Sequence, residues 1–267
     1  GGTVTLPFPS VGATENLLLA AMGCRTDVIL CNAAREPEIG DLVRFLRVCG
    51  ADIAGEGTSV LRIRAGRTLH GAEFTVQPDR MEAATYLAAA AATRGRLTLR
   101  KTRPEHYLAV TRVLERGGCA LERCADDTLT ISCRRLCAAG PILTGPYDGF
   151  PTDAQAPLMA AMSTAEGVSI FEETIFSDRF RHVPALRSMG AHILTTERYA
   201  VVTGVPSLFG AAVSATDLRG GAAMVIAALC AEGESVIRET EHIDRGYSDL
   251  AAQLRACGAE INHTEGL

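Results

Sequence analysis

The sequence has no tryptophan, only 5% aromatic residues, and one lysine, Lys101, among its 26 Lys and Arg residues. The basic residues form no cluster dense enough to follow a phosphate backbone, and the net charge is -5, so we expect no nucleic-acid partner. Apolar residues nevertheless make up 47% of the chain. The interior must therefore be built from Ala, Leu, Val and Ile on elements that approach one another closely.

Long apolar runs and paired metal-ligand spacings are also missing. The apolar run in "YLAAAAATRG" is closed by Arg94, well short of the ~20 residues that a membrane span needs, and no secretory signal pattern opens the chain. The nine cysteines lack the spacing of a zinc site. We expect no metal, no membrane partner, and reduced, mostly buried thiols typical of a cytoplasmic protein.

The chain of 267 residues instead contains an internal repeat, and its length favours two domains. One marker is an amphipathic segment that ends in Gly and continues as "ADI", "AHI" or "AEI". The glycines of this marker are Gly50, Gly118, Gly190 and Gly258. They stand 68, 72 and 68 residues apart, which sets a period of about 70 residues.

A second marker shares this period: an apolar, small-residue run that ends in Gly and is followed by alternating residues. Its glycines are Gly23, Gly95, Gly167 and Gly233. Each unit is therefore predicted to contain a helix, a strand, a second helix and a strand pair. The first helix is apolar nearly all round, which predicts that it is buried, and its Gly is predicted to form a left-handed C-cap.

Polar residues occur where these apolar helices begin. Asp79, Asp153 and Asp217 each stand at the predicted start of one such helix. The simplest interpretation is that they are N-caps, each worth ~1 kcal/mol. Helix N-termini also present free N–H groups that bind anions, so any chemistry is expected at the helix ends.

Several long motifs carry a resemblance to a known family. They are "PSVGATENLLLAA", "NAAREPEIGDLVRFLRVCGADI", "PDRMEAATYLAAAAATRG", "GFPTDAQAPLMA", "ETIFSDRFRHVPALRSMGAHI", "TDLRGGAAMVIAAL" and "HIDRGYSDLAAQLRACGAEI". Together, from about residue 3 to residue 262, they resemble the enolpyruvyl transferases that act on UDP-N-acetylglucosamine.

The resemblance implies an α/β fold of repeated helix-and-sheet units with buried helices, an inside-out α/β barrel. That fold has two domains of three units each, and four of the six units are present here. Residues 1–77 would be the last unit of the domain that carries a catalytic Cys loop, and residues 78–267 would form a second domain of three units.

The resemblance also implies a reaction. The enolpyruvyl group of phosphoenolpyruvate is transferred to the 3-hydroxyl of the sugar and phosphate is released, without a cofactor, in the first committed step of bacterial peptidoglycan synthesis. Such chemistry needs a base at the hydroxyl and cations around the phosphate and carboxylate. Asp153 matches the general base, Arg219 and Arg245 match the arginines that bind phosphoenolpyruvate, and Asp217 matches the acid beside the first of them.

Further positions match substrate contacts of the family. Ser10, Val11 and Gly12 match a turn that contacts the nucleotide, and Ile175 matches a backbone contact to the uridine-sugar. For Arg179 we expect a supporting role between domains.

Two family features have no counterpart in the sequence: a Lys-Asn pair that grips phosphoenolpyruvate, and the loop whose Cys protonates C3. We therefore expect the chain alone to be an inactive fragment that pairs with the missing N-terminal units or self-associates through an exposed apolar patch.

Two alternatives remain open. The transferase that acts on shikimate 3-phosphate shares the fold and the chemistry. A non-catalytic homologue that binds the nucleotide-sugar would explain the absent Cys loop.

Overall fold

A computed structural model describes residues 1–262, and it separates them into two compact units. The first is Gly1–Pro78 together with Pro146–Gly149, and the second is Asp79–Gly145 together with the chain from Phe150 onward. The sequence did not assign the short segment Pro146–Gly149 to the first unit. The predicted domain of residues 78–267 extends over residues 263–267, which lie outside the described part, and the assignment of both segments to domains of a larger fold stays a prediction.

The first unit is a four-stranded sheet with two helices. Its elements are β1 (Gly2–Thr5), α1 (Val11–Ala21), β2 (Val28–Cys31), α2 (Pro37–Val48), β3 (Asp52–Ala54) and β4 (Val60–Arg64). The strand order is β1-β2-β4-β3, with β1 parallel to β2 and the other neighbours antiparallel. Leu18, Leu30, Val43 and Ile63 join the helices to the sheet in one core.

The second unit repeats this pattern of helices and strands. It begins with α3 (Arg80–Ala92), β5 (Arg96–Arg100), a 3-10 turn (Pro104–Tyr107), α4 (Leu108–Arg116), β6 (Ala120–Ala125) and β7 (Thr128–Ser132). It continues with β8 (Ile142–Leu143), a 3-10 turn (Thr152–Ala154), α5 (Gln155–Met162), β9 (Val168–Glu172), α6 (Val183–Ser188), β10 (His192–Thr195) and β11 (Tyr199–Thr203). It ends with β12 (Leu208–Phe209), β13 (Ala212–Ser214), α7 (Leu218–Leu229), β14 (Ala231–Glu232), β15 (Val236–Arg238), α8 (Glu241–Asp244) and α9 (Leu250–Ala256).

The sheets contain strands that the repeat did not predict. β8 precedes α5 and pairs in parallel with β9, which follows that helix, while β12 and β13 pair in parallel with β14 and β15 around α7. β1 stands in the same relation to β2. Most of these leading strands have only two or three residues, too few to show the alternation by which a strand is found in a sequence.

Buried helices form the centre of the second unit, as predicted. α3, α5 and α7 pack against one another, and every residue of α5 is buried. Their Ala- and Gly-rich faces allow this close approach, and the sheets cover them. The predicted fold class of repeated units with buried helices is therefore confirmed.

The prediction of burial is wrong for α1. Only Thr14, Leu18 and Ala21 of this helix are buried, and Leu19 is 53% exposed. Burial on all sides requires other apolar helices as neighbours. Among the described residues of the first unit, the other helix is α2, which is amphipathic and presents one apolar stripe.

The glycines after the second helices adopt left-handed backbone conformations. The φ angles are 104° at Gly50, 90° at Gly118, 94° at Gly190 and 99° at Gly258. A residue with a Cβ is strained at such angles, which explains the strict spacing of this marker. For the first helices the C-cap prediction is wrong, because the residues that cap them are Met22, Thr93, Ser163 and Cys230. Gly167 and Gly233 do have left-handed φ angles, of 108° and 88°, but they stand four and three residues beyond the caps.

The last strand predicted from the repeat is not formed. In each of the earlier units the strand after the second helix pairs antiparallel with the strand that follows it, as β3 does with β4. Residues 259–261, read as the strand "AEI", are irregular. No described residue after them supplies the partner strand that the pairing needs.

The cysteines are all free thiols, but the prediction that most are buried is wrong. Only Cys49, Cys119 and Cys133 are buried. Cys124, on β6, and Cys257, the C-cap residue of α9, are exposed.

None of the helices formed by residues 1–262 is long and apolar enough to cross a membrane.

Candidate active site

Asp153 lies in the 3-10 turn directly before α5, and it does not cap that helix. Arg179 donates a hydrogen bond from Nη2 to Oδ1 of Asp153, and Arg219 donates from Nε to Oδ2 at 3.3 Å. The Asp153 side chain is 40% exposed. Two guanidinium groups therefore hold a carboxylate that still faces solvent.

Asp79 and Asp217, by contrast, are N-caps. The carboxylate of Asp79 accepts from the backbone N–H groups of Met81 and Glu82 at 2.6 and 3.1 Å. The capping interpretation thus holds for two of the predicted acids, and Asp153 is the exception. The different role of Asp153 is visible only in the structure, since all three look alike in the sequence.

Asp217 fixes the backbone of Arg219. Its Oδ1 accepts from the N–H groups of Arg219 and Gly220 at 3.0 and 2.8 Å, in the first turn of α7. Burial acts to raise the pKa of Asp217, but these two backbone hydrogen bonds, together with the charges of His182 and Arg179, place the pKa below its ordinary value. The Asp217 carboxylate therefore stays ionised and keeps Arg219 at the mouth of α7.

The guanidinium of Arg219 is also held by Tyr247. Nη1 donates to the Tyr247 hydroxyl at 2.9 Å, and the guanidinium lies 5.4 Å from the centre of the tyrosine ring. The Tyr247 hydroxyl lies 2.8 Å from Oγ1 of Thr85, which itself donates to the carbonyl of Met81. Thr85 must then accept from Tyr247, so the hydrogen bonds run in one direction from Arg219 into the buried helix α3.

Arg179 contacts groups of the second unit. Its Nε donates to Oγ1 of Thr152 at 3.1 Å, and its guanidinium lies 5.3 Å from the centre of the Phe176 ring. With the ion pair to Asp153, these contacts make Arg179 a neighbour of the predicted base. The sequence assigned it to a role between domains, which stays a prediction.

Arg245 follows α8 and is exposed, with no ion pair to any residue from 1 to 262. It is positioned through α8, which packs against the first turn of α7 where glycines leave room. A Cβ on Gly221 would lie 2.5 Å from Cγ1 of Ile243, and one on Gly246 would lie 2.6 Å from Cδ2 of Leu218. The structure thus joins Asp153, Arg179 and Arg219 by direct hydrogen bonds. Arg245 has no such bond to them, and it is linked to the cluster only through the chain, because Tyr247, two residues later, bonds Arg219.

A buried histidine lies close to this cluster. His182 is 2% exposed, and its Nε2 lies 3.3 Å from Sδ of Met159. Burial lowers the pKa of His182 to about 4, with the charge of Arg179 in the same direction and that of Asp217 opposing it. The imidazole is therefore neutral at pH 7.

The predicted nucleotide contacts occupy two places. In the first unit, Ser10 is the N-cap of α1, its Oγ accepts from Ala13 N–H at 3.3 Å, and Val11 and Gly12 form the first turn. In the second unit, the N–H of Ile175 donates to Oε1 of Glu173 at 2.8 Å. The first turn of α1 offers backbone N–H groups of the kind that bind anions.

The predictions did not include Thr152, Glu173, Tyr247 and Thr85 as site residues. Glu173 and Tyr247 stand within motifs that carry the resemblance, "ETIF" and "HIDRGY", so nearness to matched residues was an available signal. Thr85 also stands within such a motif, "PDRMEAATYLAAAAATRG", but no residue of that motif was matched to a substrate contact.

Acidic and thiol side chains do not gather into a cation site here. In the part of the chain that the structure describes, no group of three or more His, Cys, Asp or Glu residues is arranged to hold a metal ion. The cluster instead places two arginines, Arg179 and Arg219, on the carboxylate of Asp153, and arginines suit anionic ligands.

Sequence comparison assigns the family. The profile of the EPSP synthase family (3-phosphoshikimate 1-carboxyvinyltransferase) matches residues 2–254. The chain belongs to the EPSP synthase family. Within it, this family member is 49% identical over 266 residues to a protein of Granulibacter bethesdensis and 44% identical over 266 residues to one of Finegoldia magna. Both relatives are named UDP-N-acetylglucosamine 1-carboxyvinyltransferase.

The lengths of these proteins differ. The matches cover 100% and 99% of this EPSP synthase family member but only 63% of each relative. The chain thus spans somewhat less than two thirds of the curated relatives.

Solved structures show the same fold. The enolpyruvyl transferase NikO of Streptomyces tendae superposes with a TM-score of 0.88 at 26% identity, over 98% of this family member and 65% of NikO. An EPSP synthase of Acinetobacter baumannii gives 0.74 at 20% identity, over 98% and 63% of the two chains. The latter supports the fold alone.

Proposed function

We propose that this chain supplies the Asp153 and arginine part of a UDP-N-acetylglucosamine 1-carboxyvinyltransferase. The reaction transfers the enolpyruvyl group of phosphoenolpyruvate to the 3-hydroxyl of UDP-N-acetylglucosamine and releases phosphate, without a cofactor, in the bacterial cytoplasm. It is the first committed step of peptidoglycan synthesis. The proposal draws on the name shared by relatives at 44–49% identity and on the geometry around Asp153.

The observation that carries the proposal is that Asp153 is held by Arg179 and Arg219 instead of capping α5. A base must be fixed and within reach of its proton donor, and Asp153 is 40% exposed. In the proposed reaction Asp153 takes the proton of the sugar 3-hydroxyl as its oxygen bonds to C2. An acid outside these residues protonates C3, which gives a tetrahedral intermediate at C2. C3 then gives a proton back to that group as the bond between C2 and the phosphate oxygen breaks, so the C2–C3 double bond is restored and phosphate leaves with the proton that Asp153 removed.

Arginines account for the anionic co-substrate. Arg219, whose side chain is 13% exposed, is fixed by Asp217 and Tyr247, while Arg245 is exposed without an ion pair among the described residues. A fixed and a free guanidinium are suited to a ligand with both a carboxylate and a phosphate. We assign both to phosphoenolpyruvate.

For the nucleotide-sugar we propose contacts from the first turn of α1, at Ser10, Val11 and Gly12, and from the backbone of Ile175. The helix N-terminus offers N–H groups to the diphosphate.

Apolar groups of the first unit support a protein contact as well. Phe8 is 43% exposed and Leu19 is 53% exposed. We propose that this surface is covered by the rest of a longer transferase or by self-association. The roles of Arg179 between domains and of residues 1–77 as the last unit of one domain belong to the same proposal.

Shikimate 3-phosphate is the second candidate acceptor. The family profile and the fold of the Acinetobacter baumannii enzyme allow it. The relatives at 44–49% identity carry the nucleotide-sugar name, whereas that EPSP synthase structure is only 20% identical, and this difference favours UDP-N-acetylglucosamine.

The test measures phosphate release from phosphoenolpyruvate by the 267-residue chain, alone and with the unmatched part of the Granulibacter bethesdensis relative supplied in trans. We call the latter mixture the complemented chain. Release by the complemented chain with UDP-N-acetylglucosamine, and loss by at least ~100-fold in Asp153→Asn, is the expected result. Release by the chain alone would contradict the expectation that it is inactive by itself.

A matched control is Asp249→Asn. Asp249 caps α9 with its Oδ1, and Asn is an equally good cap, so this variant should keep full activity. Release with shikimate 3-phosphate instead of UDP-N-acetylglucosamine would assign the second candidate function. Release with neither acceptor would support the non-catalytic homologue.

A further inference from the structure

Glu173 is a buried acid that the proposed reaction does not use. It directly follows β9 and is 0% exposed. No cation forms an ion pair with it among residues 1–262. A buried carboxylate without a cation is costly unless hydrogen bonds replace its hydration, so its environment must supply many donors.

Five hydrogen bonds supply this replacement. Oε1 accepts from Thr144 Oγ1 at 2.9 Å, from Ile175 N at 2.8 Å and from Phe176 N at 3.1 Å. Oε2 accepts from Thr152 Oγ1 at 2.8 Å and from Gln155 Nε2 at 3.1 Å. The donors come from the end of β8, the Asp153 turn, the start of α5 and the loop after β9, so one carboxylate ties separate segments together.

Two of these segments carry proposed site residues. Thr152 directly precedes Asp153, and its hydroxyl, while donating to Glu173, accepts from Nε of Arg179. Arg179 in turn donates to Asp153. A continuous chain of hydrogen bonds therefore runs from Glu173 through Thr152 and Arg179 to the carboxylate of the proposed base.

The pocket is built for an anion rather than an amide. Each carboxylate oxygen accepts from at least two donors, and an amide nitrogen in the place of either oxygen would face them as another donor. Gln155 shows the consequence. Its Nε2 faces Glu173, while its buried Oε1 has no hydrogen-bond partner in the structure.

We propose that Glu173 is a positioning residue of the transfer reaction: through Thr152 and Arg179 it sets the direction of the Asp153 carboxylate, and through Ile175 it sets the loop for the nucleotide-sugar. This inference rests on the proposed function. It assigns Glu173 to the part of the site that binds the sugar substrate, because none of the five hydrogen bonds to Glu173 comes from Arg219 or Arg245, the arginines assigned to phosphoenolpyruvate.

The bond to Glu173 also determines which backbone atom of Ile175 is left to contact the nucleotide-sugar. Its N–H is used by Glu173, whereas its carbonyl oxygen accepts no hydrogen bond from the described residues. The backbone contact to the acceptor must then come from the carbonyl, so the group that it recognises is a donor, an N–H or a hydroxyl.

The experiment compares Glu173→Gln with Glu172→Gln in the complemented chain. Glu172 is the neighbouring acid and is less deeply buried. Its carboxylate accepts a hydrogen bond from the exposed Tyr199 hydroxyl. For Glu173→Gln we expect kcat to fall and KM for UDP-N-acetylglucosamine to rise, each by about tenfold, since small displacements of a fixed group are costly. KM for phosphoenolpyruvate should change less than about twofold, and Glu172→Gln should match the parent.

A second pair of variants covers the case in which Glu173→Gln does not fold. Thr152→Val removes the link between Glu173 and Arg179 and leaves the other four donors, whereas Thr152→Ser keeps the hydroxyl. Loss of kcat in the valine variant and its recovery in the serine variant would support positioning. Equal kcat and KM in both, with only a lower Tm, would overturn it.

The two proposals fail differently. If the complemented parent chain releases no phosphate, the proposed function and this role of Glu173 are both overturned. If the parent is active and the Glu173 and Thr152 variants keep its kcat and KM, only the positioning role is overturned.

Discussion

Arg219 and Asp153, 66 residues apart in the sequence, are joined by a hydrogen bond of 3.3 Å from Nε to Oδ2. The pairing follows from the packing of α5 on α7, which brings the starts of the two helices side by side. Because α5 and α7 have no polar face, charged side chains occur only at the ends of these two helices. The site of the second unit is therefore assembled where the buried helices begin.

Arg245 and Arg219 should respond differently to truncation. Arg245 is exposed and has no ion pair among the described residues, so Arg245→Ala should change the free energy of unfolding by less than about 0.5 kcal/mol. Its loss should raise KM for phosphoenolpyruvate by at least about tenfold, because a charge-assisted hydrogen bond contributes about 1.5–3 kcal/mol. Denaturation and steady-state kinetics of the complemented chain measure the two effects.

Arg219→Ala is the comparison. It leaves Asp153 without one ion pair and Tyr247 without its donor, so it should lower stability as well as affinity. Equal affinity for phosphoenolpyruvate in Arg245→Ala and the parent would remove Arg245 from the site.

The Tyr247 hydroxyl should contribute to the free energy of unfolding through two hydrogen bonds at once. Tyr247→Phe keeps the ring beside Arg219 but removes the hydroxyl that accepts from Arg219 and donates to Thr85. Leaving buried groups unpaired should lower the free energy of unfolding by about 1–3 kcal/mol. Thr85→Val should lower the free energy of unfolding less in the Tyr247→Phe chain than in the parent chain, because the two hydroxyls are bonded to each other.

Tyr199→Phe is the control for that variant. The Tyr199 hydroxyl also makes a side-chain hydrogen bond, which it donates to Glu172 at 3.1 Å, but this bond is on the surface. Its loss should cost less than about 0.5 kcal/mol. If chemical denaturation gave the same loss for both tyrosines, the buried chain of hydroxyls would not stabilise the site.

Gly221 should not tolerate a methyl group. A Cβ there would lie 2.5 Å from Ile243 Cγ1 and 2.9 Å from Ala215 Cβ. Overpacking of this kind costs about 1–3 kcal/mol, more than the gain of about 1 kcal/mol in helix propensity from Gly to Ala. Gly221→Ala should therefore lower Tm and, by displacing α8, raise KM for phosphoenolpyruvate through Arg245.

Gly140→Ala provides the matched substitution, since nothing lies within 4 Å of its Cβ position. Its Tm should equal that of the parent chain. A Gly221→Ala chain with unchanged Tm would mean that α7 and α8 are not in close contact.

The sequence contained enough to find the repeat and the buried helices, for physical reasons. A helix without a polar face leaves an unbroken apolar run, and a left-handed residue after a helix requires Gly, as at Gly50 and Gly190. Both features are local. The burial of α1 was predicted wrongly because burial depends on neighbours, which no local pattern reports.

The site was less predictable for the same reason. Asp153 and Arg219 were selected by resemblance, but nothing in the sequence distinguishes Asp153 from the N-cap Asp79. The roles of Thr152 and Glu173 depend on partners from several segments, so they appear only after the chain has folded.

The buried His182 should make stability fall as the pH is lowered. Burial places its pKa at about 4 in the folded chain, against 6.5 ordinarily. Between these values the unfolded chain holds the extra proton and the folded chain does not, so stability present above pH 6.5 is lost as the pH falls toward 4, by about 3 kcal/mol in total. The neighbouring Asp217, whose pKa lies below its ordinary 3.8, contributes its own loss only at lower pH.

Urea denaturation at a series of pH values measures this effect. His182→Gln removes the titrating group, so its free energy of unfolding should change less between pH 6.5 and pH 4 than that of the parent. His192→Gln, at an exposed histidine on β10, should keep the parent's pH dependence. If the parent and His182→Gln lost stability in parallel over this range, the imidazole would not be the group that stays neutral in the folded chain.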